Sequence, residues 1–229
     1  VESDELSRPA LLLVHGAWHA SWCWDEPRSV LDADGWTTSA VDLPSAGQPA
    51  GIHDDARAVL EELGRIEGPV VVVAHSYGGI PVTQAVAEAA NVSHVVYLTS
   101  FQLDVGESLL SFHGAPVPPD PNGFEAVPDD PIPLFFGDTP RAAAEAAVAR
   151  LVPQSTRSFS EPLTRAGWHT IPSTYVICEQ DQAIPVARQE VLAARAGAVH
   201  RLASDHSPFL SAPGECAALL AKIALGSAG

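Results

Sequence analysis

The sequence predicts an α/β fold, with a mostly parallel sheet flanked by helices on both faces and a lid inserted late in the chain. Three observations carry this. Ala10–Val14, Val70–Val73, His94–Leu98 and Ser173–Cys178 are short apolar runs with turn residues nearby, the pattern of strands buried on both faces. Helix-period segments separate the early runs, as parallel crossovers require. After Phe101 the composition turns proline-rich, and the strand pattern returns only at Ser173. The 229 residues suit one such domain with a modest insertion. Residues 1–101 and 171–229 are therefore assigned to the core, and 102–170 to an inserted cap or lid.

The elements follow in order. Ala10-Leu-Leu-Leu-Val14 is a strand ended by His15-Gly16-Ala17-Trp18, where Gly16 lets the backbone approach other groups closely. Trp18, Trp22 and Trp24 are expected to pack the next segment onto the sheet, with Trp18 near a pocket. A short helix over about Asp25–Ala33 breaks at Gly35-Trp36, and Thr37–Val41 is β-prone. From Asp54, the apolar residues Ala56, Val59, Leu60, Leu63 and Ile66 repeat with a helical period until Gly64 and Gly68-Pro69.

Pro69-Val-Val-Val-Val-Ala-His-Ser-Tyr-Gly-Gly79 then runs from buried strand into an Ala/Val-rich helix over Ile80–Ala90. A serine at such a junction, with small residues two positions either side (Ala74 and Gly78), reads as a nucleophile elbow. The sharp turn lifts Ser76 clear of the sheet, near a helix N-terminus whose amides face developing negative charge. The competing reading of Ser76 is a helix N-cap.

Residues 102 to about 140 carry Pro116, Pro118, Pro119, Pro121, Pro128, Pro131, Pro133 and Pro140, which excludes them from the sheet core. A helix over roughly Thr139–Leu151 follows, and Thr156–Thr170 is irregular. Phe112, Phe124, Leu134, Phe135, Phe136 and Trp168 are expected either to line an apolar pocket above Ser76 or to hold the lid together. Beyond Cys178 come a helix to Ala196, a last strand Val199–Leu202, and a closing helix with Pro213 in its first turn and an apolar stripe of Cys216, Leu219, Leu220 and Ile223.

The formal charge of −16 argues against nucleic acid and anionic membranes as partners. No apolar run approaches the ~20 residues of a membrane span. Val1–Pro9 is polar and acidic, unlike a signal peptide. Cys23, Cys178 and Cys216 are odd in number and widely spaced, so reduced core thiols and a cytoplasmic location are expected. Nothing distinguishes a monomer from a homodimer.

A serine hydroxyl needs a base to take its proton, and histidine serves at neutral pH. Of nine histidines, His206 sits in the loop between the last strand and the closing helix. His53, His94, His113, His169 and His200 fall in helix, strand or lid, and His75 is expected to pack. His15 and His19 straddle a glycine after a strand, which argues against a metal pair, and no metal or cofactor is expected. A carboxylate must orient the base. Asp181 is preferred because its loop has the length to swing toward His206; Glu179 is second and Asp104 third. Asp205 and Asp42 read as turn residues.

Leu13-Val-His-Gly-Ala-Trp18 with Trp22-Cys-Trp24, Ala74-His-Ser-Tyr-Gly-Gly79, Tyr175–Pro185 and Asp205-His206 together resemble the plant methyl-esterase/hydroxynitrile-lyase branch of the α/β-hydrolase superfamily, and its bacterial esterase-like relatives. The resemblance implies the α/β-hydrolase fold and a cofactor-free serine esterase acting on small to medium ester substrates with apolar or aromatic parts. It implies Ser76 as nucleophile, Asp181 as acid and His206 as base, with backbone N–H donors from Ala17 and Tyr77 forming the oxyanion hole. Gly16, Trp18, Phe112, Phe135, Phe136 and Trp168 are then the candidate pocket residues. Hydroxynitrile lyases of this branch carry threonine at Gly16 and lysine at Ser207, which argues against cyanohydrin cleavage. The alternatives are the same triad acting on a lactone, thioester or secondary-metabolite intermediate as hydrolase, lyase or cyclase, or a slow-turnover ligand-binding receptor.

Overall fold

The computed structural model describes residues 8–228, so the reading of the acidic N-terminal stretch lies almost wholly outside the described residues. Six strands form one sheet: β1 (Ala10–Val14), β2 (Thr38–Val41), β3 (Val70–Ser76), β4 (Val92–Ser100), and, past the insertion, β7 (Ser173–Cys178) and β8 (Ala198–Leu202). Their order is β2-β1-β3-β4-β7-β8, and every neighbouring pair is parallel. This is the parallel architecture predicted from the apolar runs.

The inner strands β1, β3 and β7 and the second half of β4 are buried on both faces because helices cover both, whereas the edge strands β2 and β8 are partly exposed. Leu12, Val14, Val70, Val72 and Ala74 point toward α2 (Ile52–Leu63), α3 (Gly79–Val86) and α8 (Val186–Ala193). Their alternating neighbours Leu11, Leu13, Val71 and Val73 pack on α1 (Asp25–Ala33) and α10 (Pro213–Gly226), where Cys216, Leu220 and Ile223 supply the expected stripe. Cys23, Cys178 and Cys216 are buried free thiols.

Between β4 and β7 the chain forms α4 (Leu109–Phe112), the two-residue strands β5 (Phe124–Glu125) and β6 (Gln154–Ser155), α5 (Pro131–Phe135), α6 (Arg141–Val148) and α7 (Thr156–Ser160). β5 and β6 pair antiparallel, apart from the main sheet. A short α9 (Pro208–Ser211) precedes α10. Helix ends differ from the periodicity by a few residues: α3 stops at Val86 rather than Ala90, and α6 spans Arg141–Val148 rather than Thr139–Leu151. Pro140 is itself non-helical (φ −52°, ψ 137°) and disfavours helical backbone at Thr139 before it, so α6 starts only at Arg141. Among the described residues no helix is long and apolar enough to cross a membrane.

Candidate active site

The loops leaving the carboxyl ends of β1, β3, β7 and β8 converge at one edge of the sheet, the usual place for a site in a parallel α/β fold. Ser76 ends β3, and the β3–β4 register shifts between His75 and Ser76. Ser76 takes φ 51°, a left-handed conformation that a non-glycine residue adopts only under constraint. The constraint is visible in its neighbours. A Cβ on Gly78 would lie 2.4 Å from the His15 carbonyl oxygen, and one on Gly79 would lie 2.8 Å from that of Phe101. The N-cap of α3 is Gly78, so Ser76 stands before the helix and is not its cap.

Asp181 and His206 are buried together, with His206 Nδ1 2.6 Å from Asp181 Oδ2. Thr99 Oγ1 donates to the same oxygen, while the amides of Ala183 and Ile184 donate to Oδ1 at 2.7 and 2.9 Å. Burial works against charge on Asp181, but attraction to His206 and the bonds from His206, Thr99 and Ile184 outweigh it and hold the carboxyl below its ordinary range. The rivals lie elsewhere. Glu179 is exposed, Asp104 pairs with His169 near the surface, and Asp42 accepts from the Ser21 amide. Asp205 ties its own turn to the insertion, accepting from Ser207 N, Ser211 Oγ, Asp138 N and Thr139 Oγ1.

Ser76 and His206 line one cavity of 170 Å³ with Ala17, Tyr77, Trp18 and a set of apolar side chains. Among the described residues no hydrogen bond joins the Ser76 hydroxyl to His206 in this conformation. The amides of Ala17 and Tyr77 likewise donate to no acceptor among the described residues. The peptide planes that carry them are pinned by their carbonyls. His15 Nδ1–H donates to Gly16 O at 2.7 Å, and Ser100 Oγ donates to Ser76 O at 2.7 Å.

Three further histidines surround the site without charge. Burial lowers the pKa of His15 and His75 and brings that of His19 to about 3. His15 Nε2 accepts from the Leu43 amide, so both its ring nitrogens are occupied within the chain. His75 does more than pack, since its Nε2–H donates to the His206 carbonyl at 2.6 Å and holds the loop of that residue.

The candidate pocket residues divide. Trp18 and Phe135 line the cavity, as does Leu134. Phe136, the non-helical C-cap of α5 (φ −130°, ψ 30°), turns away from the cavity and is fully buried in one cluster with Ala144 and Ala147. Phe112 packs edge-on against Phe101 and His113, Trp168 stacks on His169 and donates to the Leu103 carbonyl, and Phe124 is exposed on β5; none of these lines the cavity. Gly16 sits beneath it, and a Cβ there would be 2.9 Å from the Cβ of Ser76. Phe101, Leu109, His113, Phe159, Ala183 and Ile184 complete the wall. Of these, Ala183 and Ile184 were accessible to sequence reasoning through adjacency to Asp181, whereas Phe159 lies in a stretch with no readable period.

The sequence profile of the alpha/beta hydrolase family matches residues 11–219. Norfluorocurarine synthase 2 of Strychnos nux-vomica is 27% identical over 93% of this chain and 94% of its own length. Methylesterase 1 of Arabidopsis thaliana is 26% identical over 82% of this chain and 84% of its own. The crystal structure of a methylesterase from Arabidopsis superposes with a TM-score of 0.82 at 24% identity, covering 95% of this chain and 99% of that one.

Proposed function

Because the chain belongs to the alpha/beta hydrolase family, we propose that it is a serine hydrolase of small carboxylic esters, with Ser76 as nucleophile, His206 as base and Asp181 as the acid behind it. The observation that carries this reading is the buried 2.6 Å Asp181–His206 hydrogen bond, opening onto the same apolar cavity as the strained Ser76. Similarity to Methylesterase 1 supports the ester class.

In this mechanism Ser76 Oγ attacks the ester carbonyl carbon while its proton passes to His206 Nε2. The Ser76–His206 hydrogen bond, absent in this conformation, forms as substrate enters, since catalytic hydrogen bonds are commonly long or misaligned before substrate binds. Asp181 stabilises the imidazolium, and the amides of Ala17 and Tyr77 receive the oxyanion. Collapse expels the alcohol, which takes the proton from His206, and water attacks the acyl-enzyme by the same route in reverse. Residues 102–170 act as a cap that selects the ester. The cavity is below the ~300 Å³ of ordinary ligand pockets, which favours compact acyl groups. Three buried free thiols suit a reducing cytoplasm.

Ser76→Ala is expected to abolish turnover of p-nitrophenyl acetate with an unchanged circular dichroism spectrum. A variant that kept the wild-type rate would remove serine from the mechanism. Similarity to norfluorocurarine synthase 2 favours one second reading, in which the same residues act on a secondary-metabolite intermediate. That reading gains if simple esters are inert while a fluorophosphonate still labels Ser76.

A further inference from the structure

A buried carboxylate with no cationic partner among the described residues lies beneath the site, and the reaction above does not use it. Asp55, near the start of α2, is fully buried and accepts three hydrogen bonds. Oδ1 accepts from the Ser45 amide at 2.9 Å, and Oδ2 from the Ser45 and Tyr77 hydroxyls at 2.5 and 2.6 Å. Ser45 Oγ in turn accepts from Gln154 Nε2 at 2.7 Å, and Gln154 Oε1 accepts from the Trp18 amide at 3.1 Å. Gln154 Nε2 also donates to Ser158 Oγ at 2.8 Å. Ser45, Asp55, Tyr77, Gln154 and Ser158 are each at most 1% exposed, so water does not compete for these bonds.

The two ends of this network are informative. One is Tyr77, whose own amide is a proposed oxyanion donor. The other is Trp18, joined by one peptide bond to Ala17, which carries the second donor. Trp18 sits at φ 63° and Ser76 at φ 51°, conformations that persist only where the surroundings over-determine them. Around Trp18 that restraint comes from the insertion: Gln154 holds its amide and the Val152 amide donates to its carbonyl at 3.0 Å. A hydrophobic contact would join α2 to the core without desolvating a charge, so a buried carboxylate here calls for a positional role.

Building on the ester-hydrolase reading, we propose that Asp55 is a positioning residue. Acting through Tyr77, and through Ser45 and Gln154, it fixes the Ala17 and Tyr77 amides against the substrate carbonyl oxygen and makes Gln154 of the insertion part of that geometry.

The test uses Tyr77→Phe, which removes one hydroxyl, and Ser45→Ala, which cuts the link between Asp55 and Gln154. With a p-nitrophenyl ester, each is expected to lower kcat by about tenfold with KM within about twofold, less than the ~10²–10³-fold cost of losing a donor outright. A trifluoromethyl ketone, whose hemiketal oxyanion occupies the hole, should bind more weakly by a similar factor, while an apolar alcohol inhibitor binds as before. A purely structural role would lower the melting temperature and leave kcat and the ketone-to-alcohol affinity ratio in place, and that result overturns the proposal. If Ser76→Ala is inactive while both variants match wild type, the positioning role alone fails. If Ser76→Ala is fully active, the ester-hydrolase reading fails and the positioning role with it.

Discussion

His206 and Asp181, 25 residues apart in sequence, meet through a 2.6 Å hydrogen bond inside the protein, with Thr99 donating to the same carboxylate oxygen. The carboxylate is held rigidly because both of its oxygens are occupied, Oδ1 by two loop amides and Oδ2 by the imidazole and the threonine. Such a group can fix one tautomer of the ring and compensate its charge when it takes a proton.

Asp181→Asn should therefore fold, since an amide oxygen can still accept from Ala183 and Ile184, but lose kcat by about 10⁴-fold through the wrong imidazole tautomer. Steady-state hydrolysis of a p-nitrophenyl ester measures this. A loss of less than tenfold would mean that another group orients the ring.

Gly16→Ala should inactivate without unfolding. The added Cβ lies 2.9 Å from the Ser76 Cβ and 3.1 Å from His75 Nδ1, so the loop or the serine must shift. A displacement approaching 1 Å costs about 10²-fold in turnover, and the overpacking about 1–3 kcal/mol of stability. Activity assays paired with urea unfolding would separate the two effects.

Asp55 gives a pH signature in stability. Burial, with a smaller contribution from Asp54 on the same helix, pushes its carboxyl up to about 6 from 3.8, against the opposing hydrogen bonds of Ser45 and Tyr77. Arg157 of α7 pairs with Asp54 and Glu161 rather than with Asp55. The folded state therefore binds this proton more tightly than the unfolded state. The contribution is fully present below about pH 4 and is lost as pH rises through 6. Asp55→Asn removes that dependence, so its stability relative to wild type should rise by roughly 2–3 kcal/mol between pH 4 and pH 7.5. Urea unfolding at both pH values reads the difference, and a constant offset would show that Asp55 titrates no differently in the folded chain.

The cavity predicts acyl-chain selectivity. Phe135 and Phe159 both lie 5.7 Å from the Trp18 ring and close the pocket with Leu109 and Leu134. Acetate and butyrate esters should be preferred over octanoate, and Phe135→Ala should shift kcat/KM toward the longer chains by tenfold or more. Unchanged selectivity would place the acyl group elsewhere.

The sheet and the tight turn at Ser76 were legible because each rests on local pattern. Four valines in succession have few alternatives to a doubly buried strand, and a serine between Ala74 and Gly78 has few alternatives to a tight turn. The pocket wall was not legible, because Phe135 and Phe136 are neighbours in sequence yet only the first faces the cavity. That partition depends on how α5 docks, which no local pattern encodes. Asp55 was hidden for a related reason: beside Asp54 at the start of a helix, it looks like one of two carboxylates favoured there by the helix dipole. Only the position of Tyr77 and the insertion reveals its partners.

The most direct test of a cooperating Ser76, His206 and Asp181 is the turnover of the three single variants, Ser76→Ala, His206→Ala and Asp181→Asn, against the triple variant. Groups that act as one unit lose their joint contribution at the first removal. The triple variant is therefore expected to match Ser76→Ala to within a few-fold. Losses that multiply across the three positions, or a His206→Ala enzyme as fast as wild type, would contradict the mechanism.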